Sequence, residues 1–403
     1  ATRFVAYFLA SPTCHAIVMP SVPMLGVTWW ALATTVADAL GEPDCAFNDY
    51  VRDFRRSYAP AEVPQRQRAV EDALRRIAAH NAMPGRRWKA GVNEFTDRTA
   101  EELRMLGGYD KVQGFSRLGG AAEPPARLVL DALPSSFDWR ERGVVTAVRE
   151  QHTCQGCWAF AAVEAVESAL AIAGEPLTEL SVEELISCTP NPEHCGGSGG
   201  CGGATAEQAF NLSVKSGVTT EAAYPYKHGP FSRHTCDQAP VRTPFAAVGG
   251  FVRLPSNDDQ SLLSALVQQG PLAVTVAATS WMLYDSGIFD GELGMGCGAD
   301  LNHQVSLVGY GADKGTNYWL VRNSYGPKWG EQGYMRLLRA AAGQKEPCAL
   351  DTQPTDGYCG KTGWCACPKS ITVCGMCGIL ADSSYPTGVR RAVRTVSATV
   401  VQV

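Results

Sequence analysis

Cysteine restricts the possible folds of this chain more than any other residue type, and its number and placement also indicate the compartment. The chain has 15 cysteines, and all except Cys14 and Cys45 lie at or after Cys154. Such a density is typical of oxidising compartments, where disulfide bonds persist. Because the count is odd, at least one cysteine is expected to remain a thiol. Within Gln151–Phe160 (QHTCQGCWAF), Cys154 and Cys157 are only three residues apart.

Length and charge exclude some classes of function. With 403 residues, of which 45% are hydrophobic, the chain has room for two or three domains with sizeable cores. The formal net charge is −5 and no long basic run occurs, so nucleic acid is not an expected partner.

The first forty residues are almost uncharged. Between Arg3 and Asp38 only His15 can carry a charge, and three prolines interrupt the apolar run. This pattern predicts that residues 1–40 are a cleaved secretory signal rather than an anchor, and no stable membrane span is expected. We therefore expect the protein in the secretory pathway, in a lysosome or vacuole or outside the cell.

Two regions of different character follow. Residues 41–110 are charged and helical in pattern, and Arg66–Asn81 places its apolar side chains on one face of a helix. Residues 111–132 include the Gly- and Pro-containing stretch Gly114–Pro125, which predicts an exposed linker. Exposed linkers are preferred sites of proteolysis.

The remaining chain combines helix with strand. Apolar residues at helical spacing predict a buried helix over Trp158–Ala173. After Pro271, alternating runs predict strands at Leu272–Val276, Gln304–Val308, Tyr318–Arg322 and Gly333–Leu338. A helical half followed by a strand-rich half indicates an α+β fold, with a natural cleft at the junction.

The residues suited to nucleophilic chemistry are Cys157, His303 and Asn323. A helix that begins at Cys157 favours its thiolate, because unpaired backbone N–H groups point at the sulfur. His303 begins one predicted strand and Asn323 follows the next, so adjacent antiparallel strands would bring them together. Two alternatives remain at this point: a Cys154/Cys157 dithiol of an oxidoreductase, and a purely structural His303.

Three motifs narrow these alternatives. They are Gln151-x-x-Cys154-x-x-Cys157-Trp158, then Asn302-His303, then Asn323-Ser324-x-Gly326-x-x-Trp329-Gly330-x-x-Gly333-Tyr334. In this order and spacing the chain resembles the papain-like cysteine peptidases, the cathepsin L-like group. The resemblance implies a two-domain α+β fold, with a helical left domain, a β-barrel-like right domain and the active-site cleft between them. It also implies a helical propeptide before the fold.

The same resemblance implies a role for each site residue. Cys157 would be the nucleophile, His303 its ion-pair partner, and Asn323 the residue that orients the imidazole. Gln151 would donate to the oxyanion hole alongside the backbone N–H of Cys157. The chain would be a cysteine endopeptidase that hydrolyses peptide bonds through a thioester, without metal or cofactor.

The motif Gly91-x-Asn93-x-Phe95-x-Asp97 resembles the inhibitory propeptide of this family. The resemblance implies a zymogen with its own residues 41–110 as intramolecular inhibitor, maturation near Leu130–Leu133 and a peptidase domain at 133–388. Residues 389–403 would form a tail. Protein or peptide substrates, cystatin-type inhibitors and a monomeric state are the associations expected.

The family pattern also implies disulfide bonds Cys154–Cys201, Cys188–Cys236 and Cys297–Cys377, with Cys157 left as the thiol. Six cysteines exceed that pattern: Cys195, Cys348, Cys359, Cys365, Cys367 and Cys374. Most lie in a segment at about 341–375 that is longer than the family requires. We expect further disulfide bonds there in preference to a zinc site.

The substrate-binding residues implied by the resemblance are Gly203, Ala204, Ala206, Thr275, Leu301, Tyr325, Trp329 and Asp382. Three positions depart from the family: Tyr325 replaces a tryptophan, Ala204 a glycine, and Gln304 a small residue. Asp382 aligns with the floor of the pocket for P2, the second substrate residue before the scissile bond, and the other walls of this pocket would come from Thr275, Ala206 and Leu301. A carboxylate there would accept apolar and arginine side chains.

Because Cys157, His303, Asn323 and Gln151 are all present, an active peptidase is favoured over an inactive homologue that acts as a binding protein. Asn211-Leu-Ser213 is a glycosylation sequon, placed within a predicted helix that starts at Ala206.

Overall fold

The computed structural model describes residues 43–104, 106–107, 127–128, 133–192, 197–227, 235–241, 243–291, 297–341, 343–351 and 370–392. The expected signal segment 1–40, most of the linker 111–132 and the chain after residue 392 lie outside these ranges. So do four cysteines beyond Cys154, namely Cys195, Cys359, Cys365 and Cys367.

The described residues form an α+β fold, as expected. The helices are α1 (Pro43–Asp53), α2 (Val63–Ala82), α3 (Ala100–Arg104), α4 (Cys157–Ile172), α5 (Val182–Cys188), α6 (Ala206–Ser216), α7 (Gln238–Val241) and α8 (Asp259–Gln269). The strands are β1 (Trp88–Ala90), β2 (Phe137–Asp138), β3 (Ala246–Ala247), β4 (Gly250–Arg253), β5 (Leu272–Val276), β6 (Tyr284–Phe289), β7 (His303–Asp313), β8 (Thr316–Arg322), β9 (Tyr334–Leu338), β10 (Cys348–Asp351), β11 (Ile371–Cys374), β12 (Ser383–Thr387) and β13 (Arg390–Arg391). The buried helix expected near Trp158 is α4, and the four expected strand runs fall in β5, β7, β8 and β9.

The largest sheet has the strand order β1-β6-β9-β8-β7-β5-β12-β4, with β2 also paired to β7. Its pairs are antiparallel except for β6 and β9, which run parallel. In the described part of the chain the two end strands, β1 and β4, do not pair with each other. The strand-rich half therefore matches the expected barrel-like domain only loosely.

Helix α4 is the centre of the helical half. Its sequence is apolar on nearly every side, and Trp158, Phe160 and Val163 are fully buried, as expected for a helix surrounded by protein. Helix α6 packs beside it and begins with a capping box between Thr205 and Gln208. Within the described ranges, no helix has the length and apolar character needed to cross a membrane.

A buried charge network joins α4 to the sheet. Glu164 on α4 accepts a hydrogen bond of 2.5 Å from Ser306 on β7 and lies 3.3 Å from the Arg322 guanidinium on β8. Arg322 also donates to Thr146 Oγ1 at 3.1 Å. Since these groups are almost completely buried, their mutual bonds are needed to offset desolvation. The network fixes the helix that starts at Cys157 relative to the strands that carry the histidine and asparagine.

The N-terminal region (residues 43–107) packs onto the same sheet. Helices α1 and α2 contact each other through Phe47, Tyr50 and Val70. Strand β1 then adds to the sheet edge, with Trp88 opposite Gly287 of β6. A Cβ at Gly287, whose φ is +98°, would lie 2.7 Å from Trp88 Cα, so only glycine allows this approach.

Four disulfide bonds join described cysteines. Three are the expected pairs Cys154–Cys201, Cys188–Cys236 and Cys297–Cys377. The fourth, Cys348–Cys374, joins directly opposed residues of the antiparallel pair β10 and β11, at the base of the expected insert. Two sulfurs considered for zinc, on Cys374 and Cys377, are thus in disulfide bonds.

Candidate active site

Cys157 is the first residue of α4 and carries a buried thiol. Gly156 precedes it as the N-cap, so the sulfur lies at the helix end where backbone N–H groups have no intrahelical acceptor. The backbone N–H of Gln304 donates to its Sγ at 3.4 Å. This contact places the thiol directly beside the chain that carries His303.

His303 and Asn323 meet as expected from neighbouring antiparallel strands. His303 Nε2 is 2.8 Å from Asn323 Oδ1, which also accepts from the Ser324 N–H at 2.8 Å. A carbonyl oxygen can only accept, so Nε2 carries the proton and Nδ1 holds the lone pair. Among the described residues Nδ1 makes no hydrogen bond. The imidazole is therefore oriented as a base.

Aromatic rings enclose the imidazole. Tyr325 stacks on His303 at 5.0 Å between ring centroids, and Trp281 lies edge-on at 6.4 Å. Trp329 packs edge-on against Tyr325 and so supports the ring that covers His303. Burial lowers the pKa of His303 to about 4, although the hydrogen bond to Asn323 acts in the opposite direction. With the N-terminal region in place, the imidazole is neutral at pH 7.

Gln151 is held in one orientation by its amide. The amide nitrogen donates to Cys154 O at 2.8 Å, and the amide oxygen accepts from Ser324 Oγ at 2.6 Å. The same nitrogen donates to the carbonyl oxygen of Leu106 at 3.0 Å. The N-terminal region therefore places one of its own carbonyl groups on the donor that was expected to bind an oxyanion.

The Gly91–Asp97 motif anchors this segment. Asn93 Nδ2 donates to Met282 O at 2.7 Å, and the Phe95 ring lies edge-on to Tyr325 at 5.2 Å. Tyr58 donates to Asp97 at 2.6 Å within the N-terminal region. The motif thus contacts the ring that covers His303, which ties the N-terminal region to the site.

A hydrogen-bonded chain crosses the cleft next to Cys157. Gln304 Oε1 accepts from the Ala206 N–H at 3.0 Å, and Gln304 Nε2 donates to Thr275 Oγ1 at 3.1 Å. The Thr275 hydroxyl is 3.4 Å from Asp382 Oδ2, and Asp382 Oδ1 is 3.2 Å from Arg253 Nε. Three of the expected pocket residues are therefore connected. Gln304, which the sequence showed only as a departure from the family, links two of them, and Arg253 is an addition that the motifs did not supply.

Glu207, next to Ala206, was not anticipated either. It is 1% exposed, and the Ser384 hydroxyl is close enough to favour its ionised form. Burial raises its pKa to about 7, and the negative charge of Asp382 adds to this shift. A glutamate at the second position of a helix gave no distinguishing signal in the sequence.

The other expected subsite residues lie apart from this chain of bonds. Leu301 is buried in a small cluster with Val373 and Ala381. Gly203 and Ala204 follow the turn Gly200–Gly202, which the Cys154–Cys201 bond ties to the loop before Cys157.

The alternative chemistries are less well supported by these residues. The Cys154–Cys201 disulfide bond occupies one of the two sulfurs that a dithiol oxidoreductase would require. In the described ranges no group of three or more His, Cys, Asp or Glu side chains is placed to hold a metal ion.

Comparison with protein families gives two matches. The model described as papain family cysteine protease matches residues 133–357. The model described as cathepsin propeptide inhibitor domain (I29) matches residues 47–103.

Individual relatives agree with these matches. The oryzain beta chain of Oryza sativa subsp. japonica is 40% identical over 273 residues, covering 66% of this chain and 56% of that relative. The chain therefore spans just over half the length of that relative. Cysteine protease XCP2 of Arabidopsis thaliana is 36% identical over 311 residues, covering 76% of this chain and 83% of the relative.

Solved structures of precursor forms are similar to most of this chain. A recombinant stem bromelain precursor has a TM-score of 0.66 and 31% identity, covering 86% of this chain and 98% of its own. Digestive procathepsin L 3 from Tenebrio molitor larval midgut has a TM-score of 0.65 and 29% identity, covering 85% of this chain and 98% of that structure's chain.

Proposed function

Because this chain belongs to the papain family of cysteine proteases, we propose that it is the zymogen of a cysteine endopeptidase with Cys157 as nucleophile. The observation that carries the proposal is the assembly around one buried point. Cys157 begins α4, His303 is oriented by Asn323, and Gln151 donates to a carbonyl oxygen at 3.0 Å. These are the components of acyl transfer: a nucleophile, a base with its orienter, and an oxyanion donor.

The chemistry follows from these positions. The Cys157 thiolate adds to the carbonyl carbon of the scissile peptide bond, and the oxyanion accepts hydrogen bonds from Gln151 Nε2 and the Cys157 N–H. Protonated His303 then gives its proton to the leaving amine, which leaves a thioester. Neutral His303 next takes a proton from water, which attacks the thioester, releases the acid and restores the Cys157 thiolate beside protonated His303.

The N-terminal region is proposed to be the inhibitory propeptide, over residues 41–110. Two contacts support its docking on the peptidase domain (133–388). Strand β1 pairs with β6 at the sheet edge, and Leu106 O accepts a hydrogen bond from Gln151. Maturation by cleavage in the linker 111–132, near Leu130–Leu133, would release both contacts. Protein and peptide substrates then reach the cleft.

The compartment and partners are proposed from the same features. Four disulfide bonds among the described residues suit an oxidising secretory compartment, with delivery to a lysosome or vacuole or to the exterior. The mature enzyme would act as a monomer. A cystatin-type protein inhibitor would bind the cleft that the propeptide vacates.

The proposal is tested on the full chain after acid treatment. Iodoacetamide labelling, located by mass spectrometry, is expected at Cys157 only after the propeptide is released, together with hydrolysis of a denatured protein substrate. The Cys157→Ala variant should be processed by added wild-type enzyme and remain inactive. Release of the propeptide without labelling or hydrolysis would instead indicate an inactive binding homologue.

A further inference from the structure

Gln304 fills the position directly after His303, where the family resemblance led us to expect a small residue. Its side chain is 2% exposed and bonded at both ends. Gln304 Oε1 accepts from the N–H of Ala206, the first residue of α6, and Nε2 donates to Thr275 Oγ1. It therefore extends from the sheet half to the helical half of the molecule, beside the Cys157 sulfur.

The two walls that Gln304 joins are those expected to form the P2 pocket. Thr275 lies opposite Gln304 in the register of β5 and β7, so their side chains share one face of the sheet. Ala206 lies across the cleft on α6. A glutamine that bonds both walls occupies the volume between them.

We propose that Gln304 closes the P2 pocket, so that the mature enzyme selects substrates with glycine or alanine at P2 and disfavours large apolar or arginine side chains. This deepens the proposed function and rests on it. Asp382, the floor of the P2 pocket that was expected to attract arginine, lies beyond Thr275 and is already paired with Arg253.

Displacement of the glutamine would be unfavourable. The Ala206 N–H is one of the first N–H groups of a helix and has no intrahelical acceptor, so Gln304 supplies its partner. Moving the side chain aside would leave this donor and the Gln304 amide to find new partners in a buried site. A large P2 group would have to replace both bonds, and an alkyl or phenyl side chain can replace neither.

The segment that occupies the cleft in the zymogen is consistent with a narrow passage. Leu106 O reaches Gln151, and the next residue is Gly107. A Cβ at Gly107 would lie 2.6 Å from the carbonyl oxygen of Asn302, the residue before His303. The propeptide therefore passes the Asn302 carbonyl without a side chain.

The test uses the acid-matured full chain and fluorogenic peptides that differ only at P2, with Gly, Ala, Leu, Phe or Arg. Active enzyme is counted by iodoacetamide labelling of Cys157, a reagent without a P2 group. In the wild type we expect kcat/KM for Gly or Ala to exceed that for Phe and Arg by about tenfold or more. Gln304→Ala should change the Phe-to-Gly ratio by about tenfold in favour of Phe.

Two further variants separate volume from other effects. Gln304→Leu keeps the bulk without the amide and should retain the preference for small P2 residues. Gln268→Ala removes a glutamine that bonds within its own helix α8, and it should leave the ratio unchanged.

Two results would overturn the inference: a wild-type preference for Phe or Arg, or a Gln304→Ala ratio equal to that of the wild type. The wild-type preference decides even if the variants fail to fold. If no peptide is hydrolysed and Cys157 is not labelled, it is the proposed protease function that fails.

Discussion

Acidification should open the zymogen because His303 is buried in its neutral form. Its pKa is about 4 with the propeptide in place, against 6.5 for an ordinary histidine, and burial is the cause. A lowered pKa means that this group stabilises the closed form fully above pH 6.5. That stabilisation is lost as the pH falls from 6.5 to 4.

The magnitude follows from the two pKa values. If the imidazole regains an ordinary pKa on opening, the closed form is weakened relative to pH 7 by about 2 kcal/mol at pH 5 and about 3 kcal/mol at pH 4. Glu94 of the propeptide acts in the opposite direction, because burial, with a further contribution from Glu150, raises its pKa in the closed form. Arg66 and Glu102 both belong to the propeptide, and the hydrogen bond to Arg66 lowers the pKa of Glu102 to about 2. The stabilisation from this pair is therefore fully present above pH 4.5 and is lost only as the pH falls below 4.5.

The assay is amide hydrogen exchange of strand β1, whose bonds to β6 exist only while the propeptide is docked. A Cys157→Ser background prevents self-cleavage, and the control adds His303→Gln, which removes the titrating group. The free energy of opening should fall between pH 7 and 4, and the added substitution should remove about 2 to 3 kcal/mol of that fall. Equal pH dependence in the two proteins would refute the role of the buried imidazole.

Three further predictions concern other contacts. Gln151→Ala should lower kcat by about 100- to 1000-fold through loss of an oxyanion donor, measured on titrated enzyme; a change in KM alone would contradict this. Asn93→Ala leaves the Met282 carbonyl without its buried donor and should weaken the closed zymogen by about 1–3 kcal/mol, seen as faster maturation. Because Asn93 would be removed with the propeptide on maturation, kcat/KM of the mature enzyme should be unchanged, and an unaltered maturation time would count against the contact. Replacing Cys348 and Cys374 by serine should reduce the free energy of unfolding by about 2–4 kcal/mol in denaturant titrations without changing kcat/KM. An unshifted midpoint would show that the bond does not stabilise the domain.

Local patterns in the sequence predicted the elements that carry the site. The helix expected from Trp158 begins at Cys157, and the strand expected from Gln304 begins at His303. Such elements are predictable because each has a strong hydrophobic period and a defined boundary. The juxtaposition of His303 and Asn323 also followed, since β7 and β8 are neighbours in both sequence and space.

Contacts between distant segments were not predictable in this way. Nothing in the sequence around Trp88 and Gly287 indicates that a propeptide strand pairs with β6, because two short segments almost 200 residues apart carry no shared signal. The packing of Trp281 against His303 was also not predictable, because no sequence pattern links the two residues. Gln304 was visible only as a departure from a motif, and its two bonding partners depend on how the two halves of the molecule meet.

The closed site also explains how a carbonyl group can lie on the oxyanion donor without being attacked. Leu106 O accepts from Gln151 at 3.0 Å, so the expected oxyanion donor is already occupied in the closed form. Attack requires a thiolate, and a thiolate in a buried site requires a protonated imidazole beside it to offset desolvation. In the closed form burial lowers the pKa of His303 to about 4, which leaves the imidazole neutral. In the closed form the Leu106 carbonyl therefore occupies the oxyanion donor, and the neutral imidazole cannot stabilise a Cys157 thiolate.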